Sequence, residues 1–531
     1  DIGQSGLQAA QVQMDVAGHN IANVNNEGFS RQRVTITSRY PNFRAYGAIG
    51  RGVQVVDIER LRMGFLDTVF RQQAPKLGSA QTRGAYFSQI EDIFQEPSED
   101  GLGNRLNLFF DAVSQFANNV ENTAERISVV TEAQTLASRL NTIHNRLWQL
   151  RTNANEEVRN LVPEINSLAE RIADMNVHIR SAEVSGSQAN DLRDQRDVLL
   201  DDLAELVNIT TRERTDGQVE VLIGGDVLVS GDTARALAAV RNGALDPERG
   251  DLVELRFADN DALVEVRSGQ LHGALAMRDT EIPAVDERID RIAATIIEQV
   301  NRIHSQGSGL ITLSGTIAST NAVSSDADPL MGAGLPFAIE NGAFDVVVYD
   351  AGGACTTHSI AIDGTTTLAS LAAALDALPD FSASVAADGV TLELSAGAGY
   401  TYRFANDTAG ALAALGINGL FTGYDARTIA INADIADNPL LLSSGFSLDP
   451  EETGDNTAAL DMADIRIAQV LESHTATLSD YYESSIVQIG IAARTNQDQL
   501  TIEQAFIQDF SRRRQEVSGV SLDEEVTHML Q

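Results

Sequence analysis

The chain has 531 residues, too many for one hydrophobic core, and its length predicts roughly three or four domains. Hydrophobic residues make up 43% of it and charged residues 21%, which indicates a globular rather than a disordered protein. The net charge of -37 gives a strongly acidic surface that repels nucleic acids and anionic lipid, so we expect no nucleic-acid and no membrane partner.

An apolar stripe opens the chain. Its residues follow one another at alternating spacings of three and four, and they are Leu7, Ala10, Met14, Ala17, Ile21 and Val24. This spacing predicts a coiled-coil helix whose seam has no partner within one molecule. Asn20 and Asn23 lie beside the seam, where they are either solvated or bonded to a neighbouring subunit and fix its register. The helix is predicted to stop at Gly28, with Phe29 anchoring the departing chain.

An extended arm is predicted next, with strands around residues 34–37 and 53–58. The arm is basic in a very acidic chain, and its arginines are Arg31, Arg33, Arg39, Arg44 and Arg51. These arginines form either a solvated surface or a charge-complementary contact with an acidic neighbouring subunit.

The middle of the chain alternates between helical and extended patterns. Long amphipathic helices are predicted over about 104–207, and they suit a rod-shaped bundle. Strands are predicted from 209 to about 267. A helix is predicted over 271–305, with one apolar face made by Ile289, Ile292, Ile296 and Val300. From about 314 to 425 the composition becomes rich in small and polar residues, which indicates an inserted domain. The chain is then predicted to be helical again from 456 to about 517.

One more helix is predicted after Gly519. Ser521 and Glu524 have the spacing of a capping box, and Leu522, Val526 and Leu530 follow on one face. The first and last helices are therefore both amphipathic, and we expect them to pack on each other and on neighbouring molecules.

Together these patterns predict a multidomain α plus β protein with terminal coiled-coil helices. An elongated helical bundle is expected from both chain halves, with β-rich outer domains inserted in the middle. The expected parts are a terminal helical core (1–30 and 519–531, truncated at both ends), a helical bundle with the arm (31–210, 270–313 and 456–518), β-rich inner segments (211–269 and 426–455) and a variable α+β insert (314–425).

Motifs of catalysis and metal binding are absent from the sequence. There is no His-Glu-x-x-His, no phosphate-binding Gly-x-x-x-x-Gly-Lys-Ser/Thr and no Cys-x-x-Cys, and the eight histidines are scattered. The single cysteine, Cys355, excludes an intramolecular disulfide. The sequence therefore predicts no catalytic residues, no cofactor and no metal, and it favours an assembly subunit over an enzyme.

Four regions of the chain carry a resemblance to known proteins. Residues 17–31, with the core Asn20-Ile21-Ala22-Asn23 followed by Gly28-Phe29, resemble the N-terminal signature of flagellar rod, hook and hook-associated proteins. Residues 518–525, residues 415–423, and residues 216–219 with 224–225 and 228–229 resemble segments of the flagellar hook-associated protein 1 (FlgK) family of hook-filament junction proteins. The resemblance spans most of the chain and is thin between about 320 and 400.

The resemblance implies a structural protein that forms a helical ring by self-association of its terminal helices. It implies hook protein on one side, the second hook-associated protein on the other, and a cytosolic export chaperone near the C-terminus. It also implies export of the unfolded chain through the flagellar type III apparatus, without a cleaved signal peptide, to the extracellular flagellum. The alternatives are another axial protein, such as hook protein or the second junction protein, or an axial protein whose insert is an adhesin.

Overall fold

The computed structural model describes residues 2–26, 28–45, 47–184, 186–245 and 250–530. The α-helices are α1 (Ile2–Ala22), α2 (Gly64–Phe94), α3 (Leu102–Asn118), α4 (Thr123–Glu183), α5 (Asn190–Leu206), α6 (Gln270–Ala276), α7 (Ile282–His304), α8 (Leu368–Asp376), α9 (Ala411–Leu415), α10 (Ala433–Asp437), α11 (Thr457–Asp464), α12 (Leu478–Ser518) and α13 (Leu522–Leu530). A π-helical turn (Met277–Glu281) joins α6 to α7.

The strands are short and pair antiparallel. They are β1 (Gln32–Ser38), β2 (Asn42–Arg44), β3 (Gly47–Ile49), β4 (Val53–Arg60), β5 (Ile209–Glu213), β6 (Val219–Ile223), β7 (Asp226–Ser230), β8 (Thr233–Ala234), β9 (Leu237–Arg241), β10 (Val253–Phe257), β11 (Ile317–Ala318), β12 (Gly342–Tyr349), β13 (Cys355–Ile362), β14 (Phe381–Val385), β15 (Leu392–Ala396), β16 (Thr401–Ala405), β17 (Phe421–Thr422) and β18 (Ala430–Ile431). The mixture of long helices and small sheets confirms the predicted multidomain α plus β class.

The chain divides into two compact units, each assembled from separate stretches of sequence. The first unit comprises Asp1–Ser88, Leu150–Glu281 and Ala492–Gln531, and the second comprises Gln89–Gln149 and Ile282–Ile491. Helices α2, α4 and α12 contribute residues to both units. The finer four-part organisation expected from the sequence stays a prediction.

In the first unit, α4 and α5 share a core with the β5-β6-β7-β8 sheet and the β9-β10 pair. Three asparagines of α4 connect the helix to the strands, because each accepts a backbone N–H and donates to a backbone carbonyl. Asn155 accepts from Val253, Asn166 from Leu237 and Asn176 from Val219. The asparagines are about three helical turns apart, so they lie on one face of α4 and fix the strands at regular intervals.

In the second unit, α7 provides the central apolar face. Its predicted stripe of Ile289, Ile292, Ile296 and Val300 is buried, and the helix contacts α9, α11 and β17. Two three-stranded sheets, β13-β12-β16 and β11-β15-β14, make up much of the rest of this unit, with α8 packed on β14.

The helix predicted over 456–517 is wrong in its middle. Helix α11 ends at Asp464, and α12 begins only at Leu478. Residues 472–474 between them have positive φ angles, which no helix accommodates. Thr477 and Asp480 then form the capping box that starts α12, since each side chain bonds the other residue's backbone N–H. This Thr-x-x-Asp spacing was a readable signal in the sequence.

Candidate assembly interface

Helix α1 has one face that is packed within the chain. The buried residues are Ser5, Ala9, Val16, Ala17 and Asn20, which are mostly small. The β1–β4 ribbon lies along this face, because the Asn20 side chain bonds the backbone of Gln32 in both directions at 3.0 Å. At the other end of the ribbon, Val53 N donates to Ser5 Oγ at 3.3 Å. Small side chains allow the ribbon to approach the helix closely.

The predicted seam of α1 lies mostly on another face and is largely open. The side chain of Leu7 is 75% exposed and that of Met14 is 51% exposed, and Ala10 is also exposed. Ile21 and Val24 are half-buried. The packed face starts at Ser5, two positions before Leu7, and shares only Ala17 with the predicted seam, so the two stripes point in different directions at 100° per residue. The seam is thus available to another molecule.

The end of α1 is held by local contacts. Asn23 donates to the carbonyl oxygen of His19 at 3.0 Å, so its amide caps its own helix. The His19 ring packs edge-on against Phe29, with 5.3 Å between the centroids. A Cβ on Gly28 would lie 2.6 Å from Cγ2 of Val198, so any larger residue here would require the Val198 side chain to move. The bonds of Asn20 and Asn23 are therefore made within the chain rather than to a neighbour.

Helix α13 packs on α1 and also leaves apolar residues exposed. Leu522, Val526 and Leu530 are exposed, with Leu530 at 83%. The predicted capping box is not formed among the described residues, since neither Ser521 nor Glu524 bonds the other's backbone N–H, and Glu524 accepts from Arg31 Nη1 at 2.7 Å. The neighbouring Glu525 is buried and accepts from Arg31 Nε at 2.6 Å. One arginine of the arm therefore ties the last helix to the first, a partnership across almost the whole sequence.

A buried ionic network fixes the start of the arm to α5. Asp194 accepts from the backbone N–H of Ser30 at 2.8 Å and from its hydroxyl at 2.7 Å. Arg60 Nη1 bridges Asp194 and Asp197 at 2.7 and 2.9 Å. Arg71 bonds Asp197 as well, at 3.0 Å. The network holds the arm, α2 and α5 in one arrangement.

The charges in this network compensate one another. Burial by itself would raise the pKa of Asp197, but the positive charges of Arg62, Arg71 and Arg60 outweigh it and hold the pKa well below its usual range. Arg514 of α12 joins the network through Asp201 at 2.7 Å and Asp67 at 3.0 Å.

Sequence reasoning missed this network. Its signal is the spacing of the α5 aspartates, which places them on one helical face at Asp191, Asp194, Asp197 and Asp201.

One group of side chains has the chemistry of a metal site. Among the residues the structure describes, His144, Asp286 and Asp290 are the set whose potential ligand atoms all lie within 4.8 Å of one another. The His144 nitrogen that faces the carboxylates is already bonded to Asp286 at 2.9 Å, which is an ordinary ion-pair geometry. Burial and the charge of Asp286 raise the pKa of Asp290 to about 6. We interpret the group as a contact between α4 and α7 in the second unit.

No helix in the described part of the chain has both the length and the apolar composition to cross a bilayer.

Two family descriptions match the chain. Residues 87–318 match "Flagellar hook-associated protein FlgK helical domain", and residues 1–29 match "Flagella basal body rod protein". The second match covers α1 and the turn that follows it, the segment with the exposed seam.

Similar proteins span nearly the whole chain. Flagellar hook-associated protein 1 of Salmonella typhimurium is 25% identical over 540 residues, which cover 98% of this chain and 93% of the relative. The Bacillus subtilis protein of the same name is also 25% identical, over 99% of this chain and 91% of its own length. The solved structure of the flagellar hook junction protein FlgK from Burkholderia pseudomallei matches 84% of this chain and 100% of its own, with a TM-score of 0.52 and 16% identity, and it supports the fold.

Proposed function

We propose that the chain is a member of the flagellar hook-associated protein 1 family, a structural component of the flagellum at the hook-filament junction, and that its terminal helices drive its assembly there. The observation that carries this proposal is the open seam of α1. Leu7 and Met14 are large apolar side chains exposed on a helix whose other face is already packed. Exposed apolar stripes of this kind mark protein interfaces.

The proposed partner of the seam is another copy of the chain. Self-association into a helical ring would bury Leu7 and Met14 of α1 with the exposed residues of α13, Leu522, Val526 and Leu530. Burial of apolar surface stabilises such contacts by roughly 25 cal/mol per Å². Part of that gain is offset by the entropy of fixing the helices in one arrangement. The proposed roles of Asn20, Asn23, Gly28 and Phe29 are to hold the helix end in the shape that assembly requires.

The remaining proposals follow from the family. Hook protein is proposed on one side of the ring and the second hook-associated protein on the other. A cytosolic chaperone is proposed to bind near the C-terminus before the unfolded chain leaves through the flagellar type III apparatus, without a cleaved signal peptide. The protein is proposed to act by assembly alone, without catalysis and without a cofactor or metal.

Complementation of cells that lack the gene tests the assignment. Electron microscopy would score hooks with and without filaments, and an immunoblot would measure flagellin released into the medium. We expect the wild-type chain to restore filaments and the empty vector to leave bare hooks and shed flagellin. Normal filaments without the gene would contradict a role at the junction.

Substitutions in the seam test the proposed mechanism. L7D/M14D and I21D should abolish incorporation, because each places a charge where a neighbour's apolar surface would lie. The matched control is Q8D, since Gln8 is exposed on α1 but lies away from the stripe. Incorporation of L7D/M14D at the level of Q8D, in a chain that is equally folded, would count against the seam.

A further inference from the structure

The arm ends in a basic hairpin whose charged side chains pair with no other residue that the structure describes. Residues 28–56 contain five arginines and no acidic residue, although the whole chain has a net charge of -37. Arg39, Arg44 and Arg51 belong to the arginine hairpin (residues 39–51), whose strands β2 and β3 pair at its tip. Their side chains are exposed, and among the described residues they form no ion pair or side-chain hydrogen bond. Arg31 and Arg33, by contrast, pair with glutamates within the chain.

Two aromatic side chains accompany these arginines. Tyr40 is 92% exposed and Phe43 is 80% exposed. Tyrosine, phenylalanine and arginine are enriched at protein interfaces, where the rings supply apolar area and the guanidinium binds carboxylates. The hairpin exposes both arginines and aromatic rings, which is the composition of a protein interface.

A groove of opposite charge lies between α4 and α5 in the same unit. The acidic groove is made by two adjoining cavities of about 440 and 420 Å³, which share Arg171 and Asp202 in their walls. Its acidic residues are Glu164, Asp174, Asp202 and Glu205. Apolar surface comes from Met175, Leu199 and the exposed Val198.

The carboxylates of the groove also lack positive partners. Glu164, Asp174, Asp202 and Glu205 have no ion pair within the described residues, and Glu205 accepts only from Gln270. Burial and the neighbouring Asp201 raise the pKa of Asp202, and together they outweigh the opposing effect of the positive charge of Arg171. With four carboxylates and one arginine, the groove has an excess of three negative charges, which equals the three arginines of the hairpin.

The hairpin and the groove lie at opposite ends of α1. Gly52, at the base of the hairpin, is next to Ile2 and Ser5, whereas Asn26 lines the mouth of the groove. From Ser5 to Asn20 alone, α1 rises about 22 Å. The hairpin therefore cannot reach the groove of its own chain while the β1–β4 ribbon stays on α1.

We propose that the arginine hairpin of one copy docks in the acidic groove of an adjacent copy. Arg39, Arg44 and Arg51 would bind the groove carboxylates, and Tyr40 and Phe43 would cover its apolar surface. Because two different surfaces meet, the contact is heterologous and repeats from copy to copy in a ring or helix. The inference rests on the proposed self-assembly and adds a second contact to the seam of the terminal helices.

Charge reversal with rescue tests the pairing in complemented cells. R39E/R44E/R51E and, separately, D174R/D202R/E205R should each lower incorporation roughly tenfold or more, since several charge pairs change from attraction to repulsion. The chain that carries both sets of changes should recover, because the charges are again complementary between copies. The matched control for the hairpin variant is R146E/R180E/R212E, which makes the same change in net charge at exposed arginines elsewhere.

A cross-link shows the contact without disturbing any charge. In a C355S background, N42C places a thiol in the hairpin and S167C places one beside the groove, and both positions are exposed. A short bismaleimide should join the two variants when they are assembled together and should join neither variant to itself.

The outcomes separate the inference from the proposed function. If the wild-type chain does not restore filaments, the proposed function fails. If the wild type restores filaments and the hairpin variant incorporates as well as the control, or the cross-link does not form, the docking is overturned while the function stands. Failure of the doubly reversed chain to recover overturns the pairing as well.

Discussion

Helices α1 and α7 are similar in length and have similar apolar spacing, but they meet different surroundings. Helix α7 buries Ile289, Ile292, Ile296 and Val300 within the second unit. Helix α1 buries small and polar residues and leaves Leu7 and Met14 exposed. In α7 the large side chains stabilise the fold, whereas in α1 they are left for another molecule.

The ion pairs of the two helices also differ in how far they are buried. Asp286 of α7 pairs with His144 at 2.9 Å where both side chains are largely buried. His19 of α1 pairs with Asp191 at 3.2 Å where both side chains are substantially exposed. The helix that completes a core buries its large apolar side chains within its own chain, while the helix that serves assembly leaves large apolar side chains exposed.

The largest effect is expected from a charge in the α7 stripe. I296D should destabilise the second unit by more than about 5 kcal/mol, because an unpaired carboxylate would replace a fully buried side chain. M14D is the matched substitution on α1 and should change the free energy of unfolding by less than about 0.5 kcal/mol. Hydrogen exchange of the α7 amides measures the first effect. If I296D and M14D lower the free energy of unfolding equally, α1 does not differ from α7 in how it contributes to the fold.

The next effect tests how firmly α1 and its arm are attached. D194A removes the buried acceptor of the Ser30 N–H and one of the two carboxylates that Arg60 bonds, so it should cost about 3 kcal/mol locally. Limited proteolysis should then cut the chain near Ser30 faster than in the wild type. D202A removes an exposed carboxylate of the same helix that bonds neither α1 nor the arm, and it serves as the control. Unchanged cleavage in D194A would show that the network does not hold the arm.

A smaller effect is expected on the packed face of α1. A9L should destabilise the contact between α1 and the ribbon by about 2 kcal/mol, since a larger side chain overpacks a buried small-residue face. A10L adds the same atoms at an exposed position and should be tolerated. Hydrogen exchange of the amides of residues 2–22, measured as the temperature is raised, distinguishes the two variants. If A9L is as stable as A10L, the packed face does not require small residues.

The smallest effect is a pH dependence in the second unit. The pKa of Asp290 in the folded chain is about 6, above its ordinary value of 3.8. As the pH rises from about 4 to 6, the unfolded state therefore loses this proton before the folded state does, and the free energy of unfolding falls.

The pKa of His144 is raised, first because its ring bonds Asp286. The stability that this pair contributes is therefore complete below the ordinary pKa of 6.5 and is lost as the pH rises through the pKa of the folded state. D290N should flatten the fall between about pH 4 and 6 in denaturant midpoints. If the denaturant midpoint of D290N falls with pH as steeply as that of the wild type, the pH dependence does not come from Asp290.

Much of the local structure was predictable because periodicity follows from backbone geometry. The stripe at Ile289–Val300 predicted α7 and its buried face, and alternation predicted strands such as β6 and β12. The break at residues 465–477 was missed because the apolar pattern alone was followed and the Thr477–Asp480 cap was overlooked.

The α1 seam shows where prediction from pattern stops. Its spacing predicted an amphipathic helix, but a second stripe, Ser5 to Asn20, is the one the chain packs. Small and polar side chains give no hydropathy signal, so the packed face became visible only with the ribbon in place.

By itself the sequence determined the α plus β class, the helices at both ends and the resemblance to a flagellar family, since these depend on local spacing and short motifs. Only the tertiary structure decided which faces are satisfied within the chain. Arg31 meets Glu525 and Asp194 meets Ser30 across 494 and 164 positions of sequence. The physical reason is that such contacts depend on how distant segments are brought together in space, which the periodicity of a single helix or strand does not specify.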